Sequence, residues 1–299
     1  MLDIAKFKAK RIKCAGLGEV LFDVFPSGPK IGGAPANFAY HCRQNGLEAM
    51  AISSVGKDEL GFKARDLLAA RFLPALLLEN DKPTGAVNVS LSEDGVPTYN
   101  FLERTAYDNI PLSEVVLEVA KDLDMICFGT LAQRSTASHK TIMNILDFMK
   151  EGAIRIFDVN LRRQYFCRDV IESSLKRTDV LKCNEDELPI LCDLAGLKSQ
   201  TKEAYRHYLK RRGINCFIFT EGSTQSTVYL NSEVSVLPTP KVKAVDTVGA
   251  GDSFTATIIS SLMKGQPLAK AHAKAVQVAA YVCTQPGAMP DMPLELMRD

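Results

Sequence analysis

Residues 246–252, Asp-Thr-Val-Gly-Ala-Gly-Asp, join small residues to a carboxylate at the start of a predicted helix. Apolar residues then recur at helical spacing: Phe254, Ile258, Ile259 and Leu262. The first amides of a helix lack internal partners and lie at the positive end of its dipole, so Gly249, Ala250 and Gly251 form a potential anion site. Asp252 would lie beside that anion, where a carboxylate can accept a proton from a hydroxyl that attacks a phosphate. A tight turn with Asp252 as a helix cap explains the same residues, so the rest of the chain must decide.

A second polar group lies near the start of the chain. Asp23 follows an apolar run, and a carboxylate at the carboxyl end of a parallel strand faces the ligand side of such a sheet. Gly32 and Gly33 precede Pro35, which predicts a helix to about residue 44 with Asn37 in its first turns. An Asp and an Asn that converge suit a polyhydroxylated ligand, because both accept hydroxyl hydrogens and the amide also donates. A turn role for Asp23 is the alternative.

Three later strand ends also carry polar residues. In chain order these are Asp158, Asn160 and Arg162; Asn184 and Glu187; Thr220 and Gly222. The members of the first group alternate, so they share a face if the strand continues. The second group begins a helix, where acidic residues are either plain dipole partners or a polar pair near a Mg²⁺-bound phosphate.

Composition excludes several classes of protein. The 299 residues include 36 Lys and Arg against 35 Asp and Glu, and the net charge of +1 implies no general attraction to nucleic acid or membrane. No apolar run approaches membrane-spanning length, and the basic N-terminus lacks the apolar core of a secretion signal. Eight cysteines without a C-x-x-C pair indicate buried thiols in a reducing compartment, so a cytoplasmic location is expected. Four scattered histidines and the absence of G-x-S-x-G argue against metal-dependent or serine hydrolases.

Strand and helix patterns alternate over the whole length, which predicts one main α/β domain over residues 1–299. Residues 12–22 are interpreted as one buried strand interrupted by glycines. Residues 84–103 differ, because apolar and polar residues alternate on both sides of a predicted turn at residues 93–95. This pattern predicts an antiparallel hairpin with one polar face. We expect a small lid over residues 84–105 with a short contribution near residues 20–31, and an edge hairpin of the main sheet is the alternative.

In combination and order, these segments resemble the ribokinase-like, PfkB-type carbohydrate kinases. The matching pieces are Gly18-Glu19…Asp23, Gly32-Gly33…Asn37, the hairpin at 84–103, Asp158-x-Asn160-x-Arg162, Asn184-x-x-Glu187, Thr220-x-Gly222 and the 246–252 segment. They span nearly the full chain, and the segments at 18–26 and 32–37 look most like those of fructokinases. The resemblance implies a three-layer α/β/α domain with a mainly parallel central sheet and a small antiparallel β lid.

The resemblance also implies ATP-dependent transfer of a phosphoryl group to a primary hydroxyl of a small sugar, first of all fructose. Asp252 would be the general base, the amides of Gly249, Ala250 and Gly251 the anion hole, and Arg162 a cation near both substrates. The implied sugar-binding residues are Asp23, Gly32, Gly33, Asn37, Phe101, Asp158, Arg162 and Asp252. The implied residues for ATP and Mg²⁺ are Asn184, Glu187, Thr220, Gly222, Gly249, Gly251 and Ala279, with Glu187 acting on Mg²⁺ through water.

Further properties follow from the same resemblance. Members of this family often bind a monovalent cation beside the anion hole, and Asp246 and the Val248 carbonyl match that site, which implies K⁺. Glu221 places an acid between Thr220 and Gly222, which is unfavourable beside a polyphosphate unless the side chain points away. A homodimer is compatible with the resemblance, although the short 23–32 connection gives no guide to its arrangement.

The substrate stays open at this stage, because kinases of ribose, nucleosides and 2-keto-3-deoxygluconate would share Asp252. Lid residues such as Tyr99, Phe101 and Arg104 would discriminate, since a nucleoside needs an apolar slot for its base and a carboxylate needs an additional cation. A non-catalytic sugar-binding sensor with the same fold is the alternative from another class. Loss of Asp252 or of the glycines would mark such a sensor, and both are intact.

Overall fold

The computed structural model describes residues 2–7, 11–25, 28–91 and 97–297 and contains two β-sheets. The strands are β1 (Lys13–Leu17), β2 (Leu21–Phe25), β3 (Gly28–Gly32), β4 (Glu48–Gly56), β5 (Ala75–Asn80), β6 (Gly85–Leu91), β7 (Pro97–Phe101), β8 (Met125–Phe128), β9 (Ile154–Asp158), β10 (Val180–Asn184), β11 (Cys216–Glu221), β12 (Gln225–Leu230) and β13 (Glu233–Pro238). The α-helices are α1 (Ala34–Gln44), α2 (Glu59–Ala70), α3 (Glu114–Asp122), α4 (Thr136–Phe148), α5 (Arg168–Leu175), α6 (Glu187–Leu194), α7 (Lys202–Arg211), α8 (Ala250–Met263), α9 (Leu268–Cys283) and α10 (Leu294–Met297).

The larger sheet has nine strands in the order β13-β12-β11-β10-β9-β8-β1-β4-β5. Its strands run parallel from β11 to β5, while β12 and β13 are antiparallel at one edge. Helices α1, α2, α8 and α9 contribute to the core on one face, and α3 to α7 contribute to the core on the other. Inner strands such as β8 are buried at every residue, as in other parallel sheets covered on both faces. The predicted three-layer α/β/α architecture with a mainly parallel central sheet is confirmed.

A four-stranded lid sheet, in the order β3-β2-β6-β7, lies apart from the main sheet. Both outer pairs are antiparallel, which confirms the predicted hairpin, although its turn at residues 93–95 lies outside the described residues. The central pair, β2 with β6, is parallel. The reason is topological, because β2 follows β1 and β6 follows β5, and β1 and β5 are parallel strands of the main sheet.

The interpretation of residues 12–22 as one strand is wrong, because β1 ends at Leu17 and β2 begins at Leu21 in the lid sheet. The chain leaves the main sheet at Gly18, whose φ is +154°. After the break, the amide of Val20 donates to the side-chain hydroxyl of Ser53 on β4 at 3.0 Å instead of to a backbone carbonyl. A Cβ on Gly16 would stand 1.8 Å from the Pro35 carbonyl oxygen, so the two glycines serve the close approach of α1.

None of the helices within the described ranges is both long and apolar enough to cross a membrane.

Candidate active site

A cleft of about 1030 Å³ lies between the lid sheet and the carboxyl ends of the main-sheet strands. Ligands bind at this edge of open α/β sheets. Most of the predicted site residues line it, and these are Asp23, Gly32, Gly33, Asn37, Phe101, Arg162, Asn184, Thr220, Gly222, Val248, Gly249, Ala250, Gly251, Asp252 and Ala279. A separate cavity of about 400 Å³ near Arg65 and Phe72 contains none of them. The fold therefore brings together segments that are more than 200 residues apart in the sequence.

The first turn of α8 forms one wall of the cleft. Gly249 precedes the helix with φ +81°, and a Cβ there would stand 2.6 Å from the Ala288 Cβ. Ala250 and Gly251 are the first two helical residues and line the cleft, where the Ala250 amide also donates a long hydrogen bond of 3.3 Å to the Thr247 carbonyl. Glycine at position 249 thus satisfies a left-handed turn and a close packing contact at once.

The Asp252 carboxylate sits in the same helical turn. Its Oδ2 accepts a hydrogen bond of 2.8 Å from Nδ2 of Asn37, which α1 presents from across the cleft. Burial, and then the Asp158 charge, raise the pKa of Asp252 to about 6, whereas Asn37, Lys182 and Arg162 act in the opposite direction. The carboxylate is therefore ionised at neutral pH and still basic enough to take a proton from a hydroxyl.

The end of the cleft beside the lid carries further oxygen atoms. Asp23 on β2 is half-buried, and burial raises its pKa while Arg162 acts against that shift. Gly33 precedes α1 with φ +118°, and a Cβ there would stand 2.3 Å from the Glu19 carbonyl oxygen. Oδ1 of Asn37 is buried and has no hydrogen-bond partner within the described structure. An orphaned buried acceptor is costly, so a ligand that donates a hydrogen there would relieve it.

Phe101 at the end of β7 closes this part of the cleft. Its ring meets the Tyr165 ring edge to face at a centroid distance of 5.8 Å. The Arg163 guanidinium lies 5.9 Å from the Phe101 centroid, and its Nη2 donates to Oδ1 of Asn100 at 3.3 Å. Arg162 and Arg163 are both exposed and both line the cleft.

Three predicted site residues, Asp158, Glu187 and Asp246, do not line the cleft, and the first two lie below it. Asp158 is buried, and its Oδ1 accepts from Nζ of Lys182 at 3.0 Å. Glu187 is also buried, and its two oxygens accept the backbone amides of Leu161 and Asn184 at 2.8 and 2.9 Å. These partners come from neighbouring strand ends, so both carboxylates hold the floor of the cleft together.

The opposite end of the cleft is lined by residues that the family resemblance assigns to the nucleotide. Thr220 and Gly222 line it at the end of β11, and Ala279 lines it from α9. Glu221 points away, because its Oε2 accepts from Nζ of Lys202 at 2.8 Å and from Nε2 of Gln225 at 2.9 Å. The conflict between an acid at position 221 and a polyphosphate is thereby removed.

Comparison with known proteins shows the family of this chain. Residues 27–295 match the family model of pfkB family carbohydrate kinases. The chain belongs to the pfkB family of carbohydrate kinases. It is a phosphotransferase with an alcohol group as acceptor, and a helix N-terminus beside the Asp252 carboxylate fits that chemistry.

Individual relatives cover almost the whole kinase. A fructokinase of Klebsiella pneumoniae is 28% identical over 302 residues, which cover 93% of this chain and 95% of that protein. The solved structure of a fructokinase from Xylella fastidiosa with bound ATP has a TM-score of 0.82 at 19% identity and covers 96% of this chain and 98% of its own. An aminoimidazole riboside kinase from Salmonella enterica, solved with aminoimidazole riboside and an ATP analogue, has a TM-score of 0.76 at 22% identity, covering 96% and 100%.

The residues that could hold cations of this kinase are partly engaged by the backbone. Oδ1 of Asn184 accepts the amides of Asp186 and Glu187 at 3.0 and 2.9 Å. Asp246 accepts the amide of Val248 on one oxygen and that of Gly287 on the other, at 3.0 and 3.1 Å. Within the described ranges no group of three or more His, Cys, Asp or Glu is arranged to hold a metal ion. A Mg²⁺ ion here would take much of its shell from phosphates and water, as is usual for that ion.

Two buried charged residues of the kinase cleft were not among the predicted site residues. Glu19 lines the cleft at 3% exposure, and its Oε2 has no hydrogen-bond partner among the described residues. Burial, against the opposing pull of Arg162, raises the pKa of Glu19 to about 7. Lys182 lines the cleft at 7% exposure. A charged residue inside an apolar run was the available signal in both cases, because such residues are seldom buried without a partner or a task.

Proposed function

We propose that this enzyme is an ATP-dependent fructokinase that phosphorylates a primary hydroxyl of fructose. The observation that carries the proposal is the Asp252 carboxylate, held by Asn37 beside the helix N-terminus of α8 with a pKa of about 6. The proposed base Asp252, the helix N-terminus at Gly249 and the polar side chain of Asp23 all line one cleft, which supports the proposal. The similarity to fructokinases over nearly the full chain supports fructose as the substrate.

The residues support an in-line transfer. Asp252 accepts the proton of the primary sugar hydroxyl while the hydroxyl oxygen bonds to the γ-phosphorus of ATP. The bond between the γ-phosphorus and the β–γ bridging oxygen breaks, and ADP leaves. The N-terminus of α8 at Gly249 to Gly251 would stabilise the charge that gathers on the transferring group, since the positive end of the helix dipole lies at the cleft before the reaction. Mg²⁺, when bound with ATP, neutralises phosphate charge.

Sugar and nucleotide would occupy opposite ends of the cleft. Asp23, Gly33 and Asn37 would bind hydroxyls, and Phe101 would cover the sugar ring. The nucleotide would extend past Thr220 and Gly222 toward Ala279. Asn184 and Glu187 are proposed to contact Mg²⁺ through water, because their side-chain oxygens already accept backbone amides. These same hydrogen bonds fix the conformation of residues 184–187 beside the ion. Asp246 retains lone pairs that could serve K⁺.

A cytoplasmic location is proposed from the cysteines. All eight are free thiols, and six of them are buried. This is the cysteine usage of a protein in a reducing compartment. A homodimer is proposed from family resemblance alone.

The test is ADP release from Mg-ATP with fructose, ribose, adenosine, inosine and 2-keto-3-deoxygluconate, each with and without K⁺. We expect a strong response to fructose that is absent in Asp252→Asn. A response to another compound alone would refute fructose and retain the kinase. Silence with every compound, together with sugar binding in calorimetry, would favour a sensor.

One observation favours a second substrate, 2-keto-3-deoxygluconate. Arg163 adds a second guanidinium beside the lid, next to Phe101, and a sugar acid needs such a cation for its carboxylate. Arg163→Gln separates the two cases. If the substrate is fructose, KM should change little, whereas a sugar acid should lose roughly 10-fold or more in kcat/KM.

A further inference from the structure

Lys182 is a buried lysine in the floor of the cleft. It lies on β10 among the buried residues Val180, Leu181 and Cys183, and its exposed fraction is 7%. Its side chain nevertheless reaches the same cleft as Gly251 and Asp252. Lysine is almost never buried without a partner, so its contacts require an explanation.

The contacts of Lys182 place its ammonium group against the anion hole. Nζ donates to Oδ1 of Asp158 at 3.0 Å. The Thr255 hydroxyl of α8 donates to the Gly251 carbonyl at 2.9 Å and lies 3.4 Å from the other oxygen of Asp158. Nζ also lies 3.3 Å from the point where a Cβ on Gly251 would stand. Glycine at position 251 therefore leaves the space through which the ammonium approaches the first turn of α8.

The charge of Lys182 is maintained despite burial. Asp158 and Glu187 raise its pKa, which outweighs the opposing effect of desolvation. An ammonium carries three hydrogens, and Asp158 accepts one of them in the described structure. Arg162 and Arg163, the other cations that line the described cleft, are exposed, so Lys182 is the cation held rigidly there.

We propose that Lys182 is a catalytic residue that donates a hydrogen bond to the phosphoryl group in transfer, and that Asp158 is its positioning residue. This inference rests on the proposed kinase function and deepens it. It reassigns Asp158, which was predicted to bind sugar, to the orientation of a cation beneath the anion hole. A fixed positive charge at this point would act on the charge that develops in the transition state, where water is excluded.

A structural role is the competing explanation, in which the pair merely balances two buried charges. Three variants separate the two roles. Lys182→Met removes the charge and keeps an apolar stem of similar length. Lys182→Met/Asp158→Asn also removes the carboxylate that would otherwise be buried without a partner. Lys150→Met is the matched control, because Lys150 pairs at 2.9 Å with the buried Asp124 but does not line the cleft.

We expect Lys182→Met to lower kcat with Mg-ATP and the active sugar by roughly 10²–10³-fold, the usual loss for a donor in an oxyanion hole. KM for the sugar should stay within about threefold of wild type, since the contact forms with the phosphoryl group. The double variant should regain the melting temperature of wild type but not its kcat. Lys150→Met should keep kcat and lower only the melting temperature.

Two results would overturn the role of Lys182. One is a double variant that recovers both stability and turnover, and the other is a Lys182→Met variant with wild-type kcat. A wild-type protein that phosphorylates no sugar would refute the kinase function itself, and the inference with it. In the same assay, the wild-type protein therefore tests the kinase function, and the Lys182 variants test the role of Lys182.

Discussion

At the residue scale, the cleft contains two carboxyl groups, Asp252 and Glu19, whose burial disfavours the ionised form. The proposed reaction needs Asp252 in its ionised form. Asp252 is stabilised in its ionised form by Asn37, Lys182 and Arg162, while burial and Asp158 act against it. The balance leaves its pKa near 6, well above an ordinary aspartate. A base with such a pKa works at neutral pH and becomes inactive in mild acid.

We therefore expect kcat/KM to rise with pH through a midpoint near 6, the pKa of Asp252. Asp252→Asn should retain sugar binding in calorimetry and lose on the order of 10²–10⁴-fold in kcat, because the amide cannot accept the proton. The pH profile of the initial rate, taken with buffers of equal ionic strength, gives the midpoint. A profile that is flat between pH 5 and 8, or an active Asp252→Asn, would contradict the assignment of the base.

Glu19 gives a prediction on stability. Its folded-state pKa is about 7 against an ordinary value of 4.5, so the native state retains a proton that the unfolded chain has released. The stabilisation from its neutral form is complete below pH 4.5 and is lost as the pH rises to about 7. Glu19→Gln cannot ionise, so its free energy of unfolding relative to wild type should rise by on the order of 3 kcal/mol between pH 4.5 and 8.

Urea denaturation of both proteins at several pH values measures this difference. The comparison across pH removes any constant cost of placing an amide at position 19. Glu48→Gln, which changes a surface ion pair between the half-buried Glu48 and the exposed Arg11, is the control and should show little dependence on pH. A constant difference between Glu19→Gln and wild type would show that Glu19 is ionised in the native state.

At the scale of elements, the start of α8 depends on glycine for two separate reasons. Gly249 adopts φ +81°, and its neighbour Ala288 leaves no room for a Cβ. Gly196 offers a matched comparison, since it has φ +69°, has nothing within 4 Å of the position that a Cβ would take, and lies away from the cleft. The two positions thus separate backbone strain from steric contact.

Both Gly249→Ala and Gly196→Ala should cost about 1–2 kcal/mol from the left-handed conformation. Gly249→Ala should cost roughly 1–3 kcal/mol more, because Ala288 must move, and that movement should also displace the anion hole. Urea denaturation gives the free energies, and kcat reports the site. Equal costs for the two variants, with kcat unchanged in Gly249→Ala, would show that the loop relaxes freely.

At the scale of the whole molecule, the cleft exists because the lid sheet is fixed to the main domain. Arg134, which follows β8, pairs with Asp108 through two contacts of 2.7 and 2.8 Å, and both side chains are almost fully buried. The same guanidinium donates to the carbonyl of Leu102 at 2.6 Å, one residue beyond Phe101. It also lies 4.7 Å from the centre of the Tyr165 ring, which contacts Phe101.

Arg134→Met should therefore loosen the lid as well as the core. Removing one partner of a buried ion pair costs about 3–5 kcal/mol, and KM for the sugar should rise because Phe101 loses its support. Arg177→Met, which breaks a more exposed pair with Asp147, should cost about 0–1 kcal/mol and leave KM unchanged. Chemical denaturation and steady-state kinetics measure both effects. A small loss of stability with wild-type KM would show that the lid is held by its strand contacts alone.

Features that depend on neighbouring residues could be predicted from the amino-acid sequence. The helix start at Gly249, the helix after Gly33 and the hairpin of β6 and β7 follow from local conformational preferences and periodicity. The order of these segments also pointed to the family, which the comparison confirmed. The placement of the Asp252 and Asn37 segments at one cleft could be expected from that family resemblance, although the two residues are 215 positions apart.

Tertiary packing determines which polar atoms are engaged and which are left for a ligand. Lys182 meets Asp158 across 24 residues, and Glu187 meets the Leu161 amide across 26, so no local pattern shows these bonds. The division of residues 12–22 between two sheets likewise depends on the approach of α1 and on Ser53. Burial and hydrogen-bond partners arise from the packing of separate layers, and they set the charge state of Glu19, Lys182 and Asp252. Residue type and spacing predicted which segments form the site, and the packing of the layers determined which side chains in those segments are free to contact a ligand.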